Sequence, residues 1–176
     1  MQKLECLMLL LPLVFMIHEY EEVIMFRYWL ARNREELKRR FPKIERWMAF
    51  HGLFGYSTAT FAVGTAHEFL LIAVVTFLSV WQEAYQWWFA AFMGYTLHLI
   101  VHLVQWVIYR KYVPVVITSL LTFPYCIYAL VAFAESSVLS SLQMLLWTMV
   151  GLLLTVLSLF SAFFLMSMFQ RWQERS

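Results

Sequence analysis

The chain contains no aspartate: all eleven of its acidic residues are glutamates, so any carboxylate chemistry falls to glutamate alone. Cysteine is nearly absent too. Cys6 and Cys126 sit in apolar surroundings without CxxC spacing, so they read as packing residues and tell nothing of redox compartment. Charged residues make up only 14% of 176 positions against 62% hydrophobic, and mean hydropathy is +0.69. An ordinary soluble domain of this size cannot hide so much apolar surface. Internal repeats and low-complexity linkers are missing as well. The run LECLMLLLPLVFMI has no small-residue cleavage site after it and is followed by HEYEE, which argues for a first span and against a signal peptide.

What remains is length in apolar runs. LLIAVVTFLSV and LLWTMVGLLLTVLSLFSAFFLM are continuous, whereas a membrane barrel would need short alternating strands. Several runs exceed the ~20 residues that cross a bilayer as a helix. The expectation is an all-α, polytopic membrane bundle forming a single domain over residues 1–176. Its five spans fall at about 4–30, 48–80, 87–109, 113–134 and 139–168. Pro114 and Pro124 are expected to start and kink the fourth. Residues 31–47 form a basic loop with room for a short surface helix.

Positive charge sets an expected orientation. Arg32, Arg34, Lys38, Arg39, Arg40, Lys43 and Arg46 lie in the first loop, Arg110 and Lys111 in the third, and Arg171 and Arg175 in the tail. Five spans put all three segments on one side and leave Lys3 on the other. That predicts insertion in the cell membrane with the N-terminus outside and the C-terminus cytoplasmic. The basic loop reads as a solvated face touching anionic lipid and not as a nucleic-acid site.

Against this background the histidines and glutamates stand out. His18, His51, His67, His98 and His102 all fall inside or at the rim of a span, as do Glu19, Glu21, Glu22 and Glu68. An ionisable group in hydrocarbon costs several kcal/mol and by default marks function. At about 100° per residue, His18, Glu21 and Glu22 share a face within an arc of roughly 100°, and Arg27, the one basic residue of that span, points the other way. Self-contained ion pairing therefore fails; the carboxylates must be neutral or hold a metal cation.

His98 and His102, at i and i+4, project from one helix face, the spacing by which two helical histidines grip one ion. Tyr95 and Gln105 extend that polar stripe and suit roles as hydrogen-bonding supports for the ligands. Counting ~1.5 Å per residue from the outer end, His18 lies ~21 Å deep, Glu68 ~18 Å, His98 ~16 Å and His102 ~24 Å. The expected metal set is His18, Glu21, Glu22, Glu68, His98 and His102, with Glu22, Glu68 or Glu21 as catalytic base. His67 points about 100° from Glu68, so only one of the two is expected to face the site squarely. His51 is expected at the surface, and Glu19 lies about 60° off the Glu22 direction.

The string His18-Glu19-Tyr20-Glu21-Glu22 resembles the HXXEE family of small prokaryotic integral membrane proteins. The resemblance extends to the H-x-x-x-H pair at His98 and His102, and to KYVPVVIT, where similar proteins carry Tyr-x-Pro-Gly. Tyr112 and Pro114 fit that segment, while Val115 stands where glycine is usual. The resemblance supports the site and implies no particular reaction.

Three function classes follow, in this order. The first is a membrane-embedded metalloenzyme holding one or two divalent ions, zinc or iron: a hydrolase acting on a lipid or amphipathic small molecule from within the bilayer, or a di-iron-type oxidase using the same ligands. The second is proton- or metal-ion-coupled transport, for which so short a chain would need to form a homo-oligomer. The third is a structural protein whose polar cluster fixes helix packing.

Overall fold

The computed structural model describes residues 2–175, and among these the chain is all-α. Seven helices follow one another: α1 (Gln2–Leu9), α2 (Leu11–Arg40), α3 (Pro42–Phe50), α4 (Thr58–Trp81), α5 (Tyr85–Tyr109), α6 (Val116–Ser136) and α7 (Ser141–Gln173). Of these, α4, α5, α6 and α7 are long and apolar enough to cross a membrane. The fifth rod is α2, set apart by Glu19, Glu21, Glu22 and Arg27. It packs on α4 and α6, and α5 packs along α7, α6 and α4.

Two differences from the sequence expectation have local causes. The supposed loop from residue 31 is helical as far as Arg40, because LARNREELKRR is rich in helix formers and meets no breaker before Pro42. Phe41, held at φ −134° by the proline after it, makes the turn into α3. The second helix is also shorter than 48–80. Residues 48–50 belong to α3, Gly52 turns left-handed at φ 72°, and Ser57 caps α4 by accepting from the Thr60 N–H at 3.0 Å.

The end bearing α1 is locked by side chains that complete broken backbone bonding. Leu10 alone separates α1 from α2. Pro12 has no N–H to give the Met8 carbonyl, and the Trp88 indole donates to it instead at 3.0 Å. The Tyr125 hydroxyl donates to the Leu7 carbonyl at 3.0 Å. In an apolar medium a Met8 carbonyl left unpaired would cost several kcal/mol, whereas the Leu7 carbonyl also accepts from the Leu10 N–H at 3.3 Å. Trp88 is itself stacked between Phe92 and Phe133, 4.9 Å from each.

At the opposite, basic end, Arg40 donates to the Tyr109 carbonyl at 2.9 Å and so closes the C-terminus of α5. Glu36 accepts from Lys111 at 2.8 Å and from Arg40 at 2.9 Å, and these cations hold its carboxyl below the ordinary value. Pro114 precedes Val115, which takes φ 71° as the residue capping α6. That is a glycine conformation in a β-branched residue. The usual glycine of the Tyr-x-Pro-Gly segment and the observed backbone therefore agree, and full burial of the Val115 side chain offsets the strain.

Helices α5 and α7 touch through glycine. A Cβ on Gly151 would lie 2.1 Å from the Ala90 carbonyl oxygen, and one on Gly94 would lie 2.1 Å from the Thr155 hydroxyl. Small residues permit this approach, which larger ones forbid. Gly151→Ala is accordingly expected to force the helices apart and cost about 1–3 kcal/mol. A thermal or denaturant unfolding midpoint unchanged from the wild type would contradict that packing.

Candidate metal centre

Three imidazoles from two helices meet in the middle of the bundle. His18 of α2 has no exposed surface, and His102 of α5 is 9% exposed. Their ring centroids are 5.3 Å apart; His18 and His98 are also 5.3 Å apart, and His98 and His102 4.4 Å. One ring nitrogen from each falls within 4.8 Å of the other two. The α-helical i,i+4 step brings the Nε2 atoms of His98 and His102 to 2.9 Å.

Two of the three rings are held from behind. The His102 Nδ1 meets the Gln105 side-chain oxygen at 3.1 Å, and the His18 Nδ1 meets the Ser119 hydroxyl of α6 at 3.5 Å. Such partners fix which nitrogen faces the centre. The Nε2 of His18 is buried without any hydrogen-bond partner among the described residues. A buried polar atom left unpaired costs about 1–3 kcal/mol, and a cation shared with His98 and His102 would remove that cost. Zinc–nitrogen bonds of about 2.0–2.1 Å need ligand atoms somewhat over 3 Å apart, which small rotations of these rings reach. The donor set therefore fits a divalent transition metal.

A second group abuts the first. Glu19, Glu22 and His98 bring one ligand atom each within 4.8 Å of one another, with the His98 Nε2 at 3.9 Å from a Glu19 oxygen. The other Glu19 oxygen accepts from the Thr65 hydroxyl of α4 at 3.1 Å. His98 belongs to both groups. Glu68 of α4 lies outside both but lines the same cavity, and its Oε1 is buried with no hydrogen-bond partner among the described residues.

Glu21 goes elsewhere. Its carboxylate accepts from the Tyr112 hydroxyl at 2.7 Å and from the Thr118 N–H and hydroxyl at 2.8 and 2.7 Å. It thus serves as a cap for the first turn of α6, supplied from another helix. The helical phase of α2 explains the exchange of Glu21 for Glu19. Relative to His18, Glu21 stands about 60° to one side and Glu19 about 100° to the other. A 100° arc holding His18 and Glu22 can include either. Helix α6 receives Glu21 and α4 receives Glu19 through Thr65; on α5, Glu19 meets His98 while Glu21 stays within electrostatic reach of His102.

The remaining candidates divide similarly. Tyr95 rests its ring against His18 at 5.9 Å, but its hydroxyl donates to Thr122 and not to a ligand. His67 contacts the Ser161 hydroxyl of α7 at 2.7 Å and lines the cavity together with Glu68. Neither His67 nor Glu68 supplies an atom to the two ligand groups among the described residues. His51 is exposed and packs on Trp47 at 4.5 Å. Besides Glu19, Thr118 and Ser119 are site residues that sequence reasoning missed. Their signal was a polar stripe, Thr118, Ser119 and Thr122, in an otherwise apolar helix.

A family model described as "Protein of unknown function with HXXEE motif" matches residues 9–129, more than half of the chain and the whole of the centre just described. No curated protein and no solved structure matches.

The geometry separates two kinds of motif residue. Glu21→Ala leaves the Thr118 N–H without its partner and should cost about 1–3 kcal/mol of stability while sparing metal uptake. His98→Ala should do the opposite, removing metal uptake. Metal content and unfolding midpoints of the two purified variants check this; equal metal loss in both would refute the division.

Proposed function

We propose that this chain, which belongs to the HXXEE family, is a membrane-embedded metal-dependent enzyme that hydrolyses a lipid or another amphipathic substrate. The observation that carries the reading is the partnerless Nε2 of His18, fully buried and facing the His98–His102 pair. Three neutral imidazoles with an open position suit zinc, which would polarise water and the substrate carbonyl there.

The chain's own groups do the rest. His18, His98 and His102 hold the ion, with Ser119 and Gln105 steadying the rings. Glu68 stands outside both ligand groups with an unpartnered oxygen in the cavity, which suits it to take the proton of the attacking water. The water oxygen adds to the carbonyl carbon. The proton then passes from the carboxyl to the departing alcohol or amine as the C–O or C–N bond breaks. Glu22 is the neighbouring alternative base when it is not a ligand.

A second reading has an observation of its own. The Glu19–Glu22–His98 group supplies two carboxylates beside the imidazoles, a donor set that hard iron accepts better than zinc does. It supports a centre of one or two iron ions used for oxidation. Metal analysis of protein purified without chelator discriminates the two.

Glu68→Gln is expected to keep metal and lose activity, because an amide cannot accept the proton, at a cost of about 10²–10⁴-fold in rate. His102→Ala is expected to lose both. Purified wild type that takes up neither zinc, iron nor manganese, and gains no thermal stability from them, would sink the enzyme reading in favour of proton-coupled transport.

The four apolar helices are compatible with a membrane protein, and we place the basic end of the bundle in the cytoplasm. Cysteines introduced at positions 38 and 175 should then label from the same, cytoplasmic side. Labelling from opposite sides would overturn the topology.

A further inference from the structure

The cavity that reaches the metal centre is a half-open cleft of about 480 Å³, within the size range of pockets that hold one small ligand. Its chemistry changes along its length, with a polar middle and, on the side away from the α4–α5 turn, walls of Phe61, Gly64, Ala162 and Met166. Around the centre the walls carry Glu19, Glu22, Thr65, Glu68 and His98. Away from it, toward the α4–α5 turn, α4 presents Leu71, Ile72 and Val75, and α5 presents Ala91 and Trp87. The apolar limb runs about 10 Å along α4, from Glu68 to Val75 at 1.5 Å per residue. It ends at a partition: Val75 and Trp87 also line a second cavity of about 230 Å³, with Leu78, Ser79, Gln82 and Ala84. Trp87 is fixed there by edge-on contact with Trp147 at 4.8 Å.

Charge limits what the polar middle accepts. Three carboxylates line it, and among the described lining residues there is no lysine or arginine. A phosphate or free carboxylate headgroup therefore finds no cationic side chain there and would have to give up its water unpaired.

We propose that the cavity binds a single-chain amphiphile with an uncharged head, such as a fatty amide or ester, whose alkyl tail fills the limb and whose usable length is set by Val75 and Trp87. Placing the head at the centre rests on the metalloenzyme reading; the tail limb and its partition stand on the two cavities alone. Val75→Ala opens the partition into the second cavity, and Val75→Trp closes the limb short of it.

The test is equilibrium binding of radiolabelled hexanamide, decanamide and tetradecanamide to the full chain in lipid nanodiscs, with empty nanodiscs subtracted. Alkyl phosphates of the same lengths are run beside them. Each methylene newly buried or newly excluded changes affinity by about fourfold. Val75→Ala should therefore raise tetradecanamide affinity several-fold relative to decanamide. Val75→Trp should weaken decanamide about tenfold or more while hexanamide stays within about twofold. The phosphates should bind at least about tenfold more weakly than the matching amides. One chain-length profile shared by wild type and Val75→Ala, or phosphates binding as well as amides, would overturn the proposal. Metal content measured on the same samples separates the two readings. A flat chain-length profile on metal-loaded protein refutes the tail limb alone, and a metal-free protein with the expected profile refutes the metal centre alone.

Discussion

A ring nitrogen of His18, enclosed by apolar helices and given no hydrogen-bond partner, is the constraint around which the middle of this bundle is arranged. An imidazole there has lost its water and, among the described residues, has one hydrogen-bond partner, the Ser119 hydroxyl behind it. The cost of the second nitrogen is tolerable only if something occupies the space it shares with His98 and His102. Each packing feature nearby serves that geometry. The first turn of α6 brings Ser119 to the ring. The four-residue step of α5 presents two more imidazoles, and Gln105 orients the farther one.

The acidic residues of α2 divide between holding the fold and meeting the cavity. Glu21 binds the start of α6 through three donors, and α6 carries the support for His18. Glu19 and Glu22, on the other side of the helix, face His98 and α4. The cluster is thus stabilised from one flank by ordinary hydrogen bonds and left open on the other, where the cavity lies. Glycine contacts between α5 and α7 draw together two helices that wall that cavity. A loss of close packing there would alter the shape of the pocket before it altered the ligands.

Much of this was legible in the amino-acid order. The run lengths gave an all-α bundle, and ionisable residues in apolar helices pointed to His18, His98, His102 and Glu68 because burial leaves such groups few other purposes. What could not be read was the side of α2 on which each neighbour packs. The arc through His18 and Glu22 extends as easily to Glu21 as to Glu19, and only the placement of α6 against α4 and α5 decides it. The break at Gly52 was hidden for a related reason. Trp47, Met48, Phe50 and Leu53 read as one apolar stretch across His51, and the left-handed backbone at Gly52 turns the chain after α3 has ended. Val115 shows the reverse case, a departure from the usual glycine that marked a real conformational demand.

The central claim is that His18, His98 and His102 share one metal ion. X-ray absorption spectroscopy on zinc-loaded protein tests it most directly, because imidazole rings give a multiple-scattering signature that carboxylates lack. The account predicts three nitrogen ligands at about 2.0–2.1 Å with imidazole scattering, completed by oxygen, and loss of one imidazole contribution in His18→Ala. A zinc shell made of oxygen alone, or one unchanged by His18→Ala, would contradict it.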